Sequence, residues 1–545
     1  MRKLFFYFLL FTSSLPLVAQ WNVNSNVNTP VSLSFLDQQE VRLISDSSGG
    51  AIIVWEDFRT NISFADIYAQ RLNAHGFPVW TTNGKGICTN ILNQRNAAIC
   101  PAPKGGAVIA WQDFRNSNWD IYAQKIDSSG NLKWTANGTP ICVKPLNQTE
   151  VKSVPDMSGG AYFVWVDSVL GFFDIYAQHL DSNGNQLWPA AGLPVCTSLD
   201  KQTNPRIELD ASGGCIITWM DKRFGDYDIY AQRIDAAGNL KWTTNGVLVV
   251  AYPLNQSNPK VDPDGTGGAI ISWQDFRNNF DYDVYAQRID SSGNIKWINT
   301  GVPICNVVGS SQSAVEICSK GGIGGAIIAW KDGRAGGGAS QIYLQRINLA
   351  GQVMWQNNGI LVGNGINPNL CEDGAGGVIV TWQDSTLGDW NVLTQRVDSS
   401  GNLIWLSGGV TVGDAAASQS SPKNVSDGAG GSIYAFQDKR NLVDFDVYAH
   451  HIFFYGSALG INNPEFAPPM TGCFPNPAPS GAKIYFNNSG WKSAVLLDVN
   501  GRMLQDEVSV SGNSLQLPAG LEGGIYFYRL KDKSGKITIG RLVVE

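Results

Sequence analysis

Hydrophobic and polar positions along this chain form short runs that reset every 52 to 57 residues. The clearest spelling is Gly105-Gly106-Ala107-Val108-Ile109-Ala110-Trp111-Gln112-Asp113-Phe114-Arg115, then Asp120-Ile121-Tyr122-Ala123-Gln124-Lys125-Ile126-Asp127, then Gly130-Asn131-Leu132-Lys133-Trp134. The central aromatic returns as Trp55, Trp111, Trp165, Trp219, Trp273, Trp330, Trp382 and Phe436, at spacings of 56, 54, 54, 54, 57, 52 and 54. A fixed period of roughly 50 marks an array of stacked units. Each unit offers four strand signals. One unit reads Gln202 to Asp210, Gly213 to Trp219, Asp228 to Asp235, and Leu240-Lys241-Trp242 on to Val249. Strand-length runs broken by Asp-Ala-Ser-Gly-Gly and Asp-Ala-Ala-Gly-Asn turns predict consecutive antiparallel hairpins. Four such strands repeated around an axis make a propeller blade. The expectation is an all-β chain with an eight-bladed β-propeller over residues 20–461.

The ends of the array predict how it closes. A second tryptophan, at the fourth strand, recurs at Trp80, Trp134, Trp188, Trp242, Trp297, Trp355 and Trp405, and the eighth unit lacks it. The missing copy stands at the other end, in Trp21-Asn22-Val23-Asn24 through Thr29-Pro30-Val31. Residues 21 to about 33 are expected to form the outer strand of the last blade, tying the ends together without a free sheet edge.

Repeated residues read as scaffold before they read as chemistry. Asp57/Arg59, Asp113/Arg115, Asp221/Arg223, Asp275/Arg277, Asp332/Arg334 and Asp438/Arg440 are Asp-x-Arg pairs, replaced by Asp167-Ser168-Val169 and Asp384-Ser385-Thr386 in units three and seven. Arginine is a planar clamp for anions, yet many copies of one catalytic pair serve no purpose. The expectation is an Asp that accepts turn N–H bonds and an Arg that pairs with a neighbouring blade. A Gln opens the inner strand of every unit but the seventh, where Gly365 stands. Four residues on come Arg42, Lys152, Arg206, Lys260 and Lys423, with Ala98, Glu316 and Asn369 in the other units. The innermost strand lines the axial channel, so these five bases are candidates for a funnel that takes an anionic ligand. Against that stands polar satisfaction, with Gln capping loop backbone and the bases pairing with blade aspartates.

Variable positions carry more information. The two Gly-containing turns on one face are uniform. The loops from second to third strand, on the other face, vary in length and sequence, and such loops on a rigid scaffold are where recognition concentrates. Phe64, Trp119, Phe173, Tyr227, Tyr282, Trp390 and Phe445 stand just before the third strand, and unit six has Gly336-Gly337-Gly338-Ala339-Ser340 instead. This partial ring is the candidate ligand-binding set, suited to stacking on sugar or gripping a peptide. The alternative is rings wedged between blades.

Composition and charge remove some function classes. A net charge of −7 gives no reason to expect nucleic acid or an anionic membrane as partner. Arg2 and Lys3, an apolar run from Leu4 to Phe11, and Leu15-Pro16-Leu17-Val18-Ala19 predict a signal peptide over residues 1–19. No other stretch approaches the ~20 apolar residues of a spanning helix. Cys88, Cys142, Cys196 and Cys305 share one repeat position, and Cys100, Cys318 and Cys371 another. Exchange with Val250 marks a small buried site, so buried thiols are expected, with Cys88–Cys100 and Cys305–Cys318 as the alternative disulfides. No Cys/His metal spacing or cofactor motif appears, and neither a metal nor a cofactor is expected.

After Ile452 the repeat stops. Residues 462–469 read as a linker, and 470–545 as a second all-β module. Phe474-Pro475-Asn476-Pro477-Ala478, Leu497-Asp498-Val499-Asn500-Gly501-Arg502-Met503-Leu504, Gly524-Ile525-Tyr526-Phe527-Tyr528-Arg529-Leu530 and Gly540-Arg541-Leu542-Val543-Val544-Glu545 occur in that order. This module resembles the C-terminal sorting domain of type IX secretion substrates. The resemblance implies a small immunoglobulin-like β-sandwich, the type IX secretion machinery as partner, and passage through the periplasm to the surface of a Bacteroidetes-type bacterium. It implies nothing about the passenger.

Three functions compete for the propeller. The expected one is a non-catalytic module that binds glycan, polysaccharide or protein outside the cell. The alternative is a hydrolase or lyase acting on extracellular polysaccharide, which needs a unique carboxylate pair on the scaffold. Asp226, Asp281, Asp389 and Asp444 are semi-repeated, and Glu56 is a loose candidate. The third is a purely structural surface protein.

Overall fold

In the computed structural model, residues 21–169, 172–319, 324–386 and 388–457 are described, with 473–474, 478–486, 491–498, 503–510, 514–532 and 537–544 of the tail. The expected signal peptide (1–19) and linker (462–469) lie outside the described residues. Eight four-stranded antiparallel sheets follow one another as blades. Blade two shows the plan: an inner strand Gln94–Ala102, a second Gly106–Asp113, a third Asp120–Ile126 and an outer Thr139–Cys142. Its second strand is buried at every residue. Each blade is clamped between two others, so both faces of the pleat meet apolar neighbours, and the run reads as continuously hydrophobic rather than alternating. The only helical turn among the described residues is Pro103–Gly105.

The two repeated tryptophans set the stacking. Trp55, Trp111, Trp165, Trp219, Trp273, Trp330 and Trp382 are fully buried. The outer tryptophans reach across each seam: Trp80 Nε1 donates to Ser128 O at 3.1 Å, Trp134 to Ser182 O at 3.2 Å and Trp405 to Phe454 O at 2.9 Å. The ring closes as the sequence predicts. Thr29–Ser32 pairs with Asp446–Ile452 as the outer strand of blade eight. Trp21 supplies the missing latch, its Nε1 donating to Ala74 O at 3.0 Å.

The tail is all-β. One sheet orders Met503–Ser509, Trp491–Leu497, Gly524–Asp532 and Ile537–Val544, and a second orders Cys473–Phe474, Lys483–Phe486 and Ser514–Gln516. Ile484, Leu496, Leu515, Leu530 and Leu542 share its core.

Candidate binding sites on the propeller

The Asp-x-Arg pairs belong to the scaffold. Asp57 accepts Trp55 Nε1 at 2.6 Å, the Arg59 backbone N–H at 2.9 Å and Arg59 Nε at 2.8 Å. The guanidinium lies 3.9 Å over the Tyr68 ring and reaches Asn83 O at 2.7 Å. Blades two, four and five repeat this. Turn binding by Asp is as expected; the Arg makes its ion pair within its own blade and also reaches the preceding blade, Arg59 Nη2 donating to Ser32 Oγ and Arg115 Nη2 to Cys88 Sγ, both at 3.3 Å. Its N–H is held by the Asp in the tight turn, which folds the side chain back over the third-strand tyrosine. Blade three lacks the Arg, and Lys144 from the preceding loop takes its place, 2.7 Å from Asp167 and 4.1 Å over Tyr176. A fully buried carboxylate requires that positive charge.

The variable loops share one face with the loops that lead to the next inner strand, and the two sets are knitted together. Gln148 N donates to Trp119 O at 2.6 Å, Gln256 N to Tyr227 O at 2.7 Å, Gln312 N to Tyr282 O at 2.6 Å, Gln419 N to Trp390 O at 2.7 Å and Gln38 N to Phe445 O at 2.6 Å. At this seam Trp119, Phe173, Tyr227, Tyr282, Trp390 and Phe445 are half-buried. Trp119 packs on Phe114 with ring centres 5.0 Å apart, and Tyr282 on Phe276 at 4.9 Å. Lysines lie over Phe173, Tyr227 and Phe445. In blade one the seam residue is Ala65, whose carbonyl takes Gln94 N, and Phe64 stands outside it and exposed.

The most exposed apolar side chains on this face are others: Ile62 (77%), Ile91 (69%), Leu199 (77%), Phe224 (76%), Phe280 (75%) and Val308 (89%). With Phe35, Leu442 and Val443 they form an arc over blades eight and one to five. Among the described residues, the loop-face turns of blades six and seven carry no such side chain. These residues escape a reading based on the repeat because their positions are apolar in only some units: Phe35, Ile91 and Leu199 each stand three residues before an inner-strand Gln, and Phe280 and Val443 three before a third-strand Asp. Their only signal is a large apolar residue inside a polar loop, as in Phe224-Gly225 and Val308-Gly309.

Along the axis, each of the five bases follows a bulge in its inner strand. Residues two positions earlier, including Glu40, Glu150 and Asn204, take a left-handed backbone with φ of 53°, 59° and 55°. A bulge re-aims the side chain that follows it. Arg42, Lys152, Arg206 and Lys423 thereby line one cavity of about 540 Å³, and Arg206 and Lys260 line a second of about 680 Å³. Gln caps loop carbonyls as expected: Gln256 Nε2 donates to Tyr252 O and Leu254 O at 3.1 and 2.9 Å. The bases do not pair with blade aspartates. Lys260 meets Glu316 at 2.6 Å and Arg42 meets Glu40 at 3.1 Å. Among the described residues, Lys152, Arg206 and Lys423 form no ion pair.

Two acid pairs lie at the loop ends. Asp281 and Asp283 share the Asn278 amide, and burial together with Asp281 pushes Asp283 up to about 7. Burial and Asp444 do the same to Asp446, also to about 7. Burial raises Glu56 to about 6, and its carboxylate accepts Asn96 N at 2.7 Å. Cys88, Cys100, Cys142, Cys196 and Cys305 are free, buried thiols raised by burial to about 12, which leaves them inert.

Residues 472–545 match the family model of the secretion system C-terminal sorting domain. The chain therefore carries a type IX secretion signal and is directed to the cell surface or the extracellular space. No curated protein matches it. Among solved structures it is similar to a PL25 ulvan lyase bound to -[GlcA(1-4)Rha3S]-, at 9% identity and a TM-score of 0.41 over 70% of this chain and 96% of that one. It is also similar to an α-L-arabinanase of Penicillium chrysogenum complexed with arabinobiose, at 10% identity and a TM-score of 0.35 over 67% and 94%. An endo-arabinase from Bacteroides thetaiotaomicron gives 14% identity and a TM-score of 0.27 over 49% and 97%. Such values bear on neither ligand nor activity.

Proposed function

We propose that this chain is an exported, non-catalytic binding module that holds a macromolecular partner, protein or glycan, on the loop face of its propeller. A signal peptide over 1–19 begins its export, residues 20–461 form the propeller, 462–469 the linker, and 470–545 the sorting domain. The observation that carries the reading is the arc of exposed apolar side chains, in which Phe224 and Phe280 are three-quarters exposed. Large apolar groups left in water on one rim mark interaction surfaces. The ring from Trp119 to Phe445, with Phe64 beside it, supports those loops from below and adds the parts of its rings that reach solvent. Aliphatic members such as Ile62, Leu199 and Val308 suit a protein surface better than the flat face of a sugar. A hydrolase or lyase needs carboxylates that touch substrate, and Asp281 and Asp283 are buried beneath their loop.

The test compares the mature chain with a Phe224→Ser/Phe280→Ser variant on a glycan array, and on the cell surface with a photo-crosslinking residue placed at position 62 in both forms. Binding or crosslinking to one defined partner, lost in the variant while the fold persists, is expected. Binding that survives the substitutions, or neither glycan binding nor a crosslink, would overturn the assignment.

A further inference from the structure

We propose that the axial channel contains an oxyanion-binding site, separate from the loop face, in which Arg42, Lys152, Arg206 and Lys423 converge on a sulfate, phosphate or carboxylate group. The site rests on placement. Four blades project a base from the same register position, just after the same bulge, into one cavity of about 540 Å³. That volume admits an oxyanion with a monosaccharide or a comparable small group attached.

Satisfaction within the protein does not account for these bases. Arg42, Lys152 and Arg206 each donate to the carbonyl of the preceding residue, Val41 O at 2.8 Å, Val151 O at 3.1 Å and Pro205 O at 2.9 Å. Lys152 Nζ also donates to Glu150 O at 3.4 Å, and together these bonds leave donors over, since an ammonium has three and a guanidinium five. The Lys423 side chain, which lines the cavity, makes no hydrogen bond to the described residues. Glu150, which lines the same cavity, is turned to the backbone N–H of Asn204 at 2.7 Å, and Glu316 is occupied by Lys260. Glu40 meets Arg42 where both side chains are well exposed, and such a pair neutralises little.

The bases also raise one another's need for a counter-ion. Burial, then Arg206 and the nearby Arg42 and Lys260, pull Lys152 down to about 7 against a partial offset from Glu150. Burial, Arg42 and Lys260 pull Lys423 down to about 8, opposed by Glu316 and Glu40. Arg206 is lowered by burial as well. An anion between them reverses each of these penalties. Glu208 lines both cavities, and the 680 Å³ cavity toward the tight-turn face adds Asp262, Glu316 and Glu372 beside Arg206 and Lys260. Acids outnumber bases below the ring, so an anion that enters from the loop face is held at the bases rather than beyond them.

The experiment titrates the mature chain by calorimetry with sodium sulfate, sodium phosphate and sodium glucuronate, at constant ionic strength in chloride, near pH 6 and near pH 9. Lys152 and Lys423 bind their protons as pH falls through their lowered values, so saturable binding is expected to tighten roughly tenfold or more at the lower pH. The three titrants identify which oxyanion the ring prefers. Lys152→Met with Lys423→Met is expected to abolish binding. Lys152→Arg, which keeps the charge without titrating, retains binding and flattens its pH dependence even if the double variant does not fold. No saturable binding of any titrant at either pH, or binding unchanged in a folded double variant, would overturn the proposal.

Discussion

Asp281, one of four semi-repeated aspartates, shows how one side chain sets the charge state of its neighbour. At the equivalent place in blade two stands Asn118, whose Nδ2 donates to Asp120 Oδ1 at 3.0 Å, Lys144 O at 2.9 Å and Leu146 O at 2.7 Å. In blade five the donor is replaced by a second carboxylate, and Asp283 rises to about 7 through burial and that neighbour. An acid held above its unfolded value of about 4 stabilises the fold fully below that pH and loses the contribution as pH climbs toward its folded value. Denaturant melts are therefore expected to show stability falling between about pH 4 and pH 7. Asp281→Asn should restore the donor, raise neutral-pH stability by about 1 kcal/mol and flatten that slope; a less stable variant would refute the comparison. Repetition identified the Asp-x-Arg pairs as scaffold, whereas the Lys144 replacement in blade three was illegible, because its partner Asp167 lies 23 positions away across a seam.

At the scale of the element, the blade is held by its third-to-fourth-strand turn as much as by its strands. Gly130 has a φ of 88°, and a Cβ there would lie 2.8 Å from the Trp80 ring of the preceding blade. Gly225, with a φ of 105°, has open space around the same atom. Both alanine substitutions incur the left-handed backbone penalty of about 1 kcal/mol, and only Gly130→Ala adds overpacking of about 1–3 kcal/mol. Chemical denaturation of the pair is expected to place Gly130→Ala clearly lower. Equal values would show that the Trp80 latch yields without cost. The turn signal was plain in Asp127-Ser128-Ser129-Gly130-Asn131, but the surface against which that glycine packs was not, since it belongs to another unit.

For the whole molecule, closure is the feature on which the rest depends. A mature chain lacking residues 21–32 loses the Trp21 latch, the Asn28 bond to Val412 O at 2.7 Å and the strand over Asp446–Ile452. Its melting midpoint is expected to fall by roughly 10 °C, with self-association through the bared edge read by light scattering; a monomer of unchanged midpoint would show that closure is dispensable. The sequence alone determined the eight-fold repeat, the four strands of each blade, the borrowed outer strand and the sorting tail, because periodicity, turn residues and contiguous motifs are local and are written in order along the chain. Only the tertiary structure decided that the expected aromatic ring lies half-buried in the seams, that Phe224, Phe280 and their aliphatic neighbours stand out in its place, and that four bases meet in one cavity. Those outcomes depend on which side chains from blades tens to hundreds of residues apart face one space, and burial and field are properties of that shared space rather than of any segment.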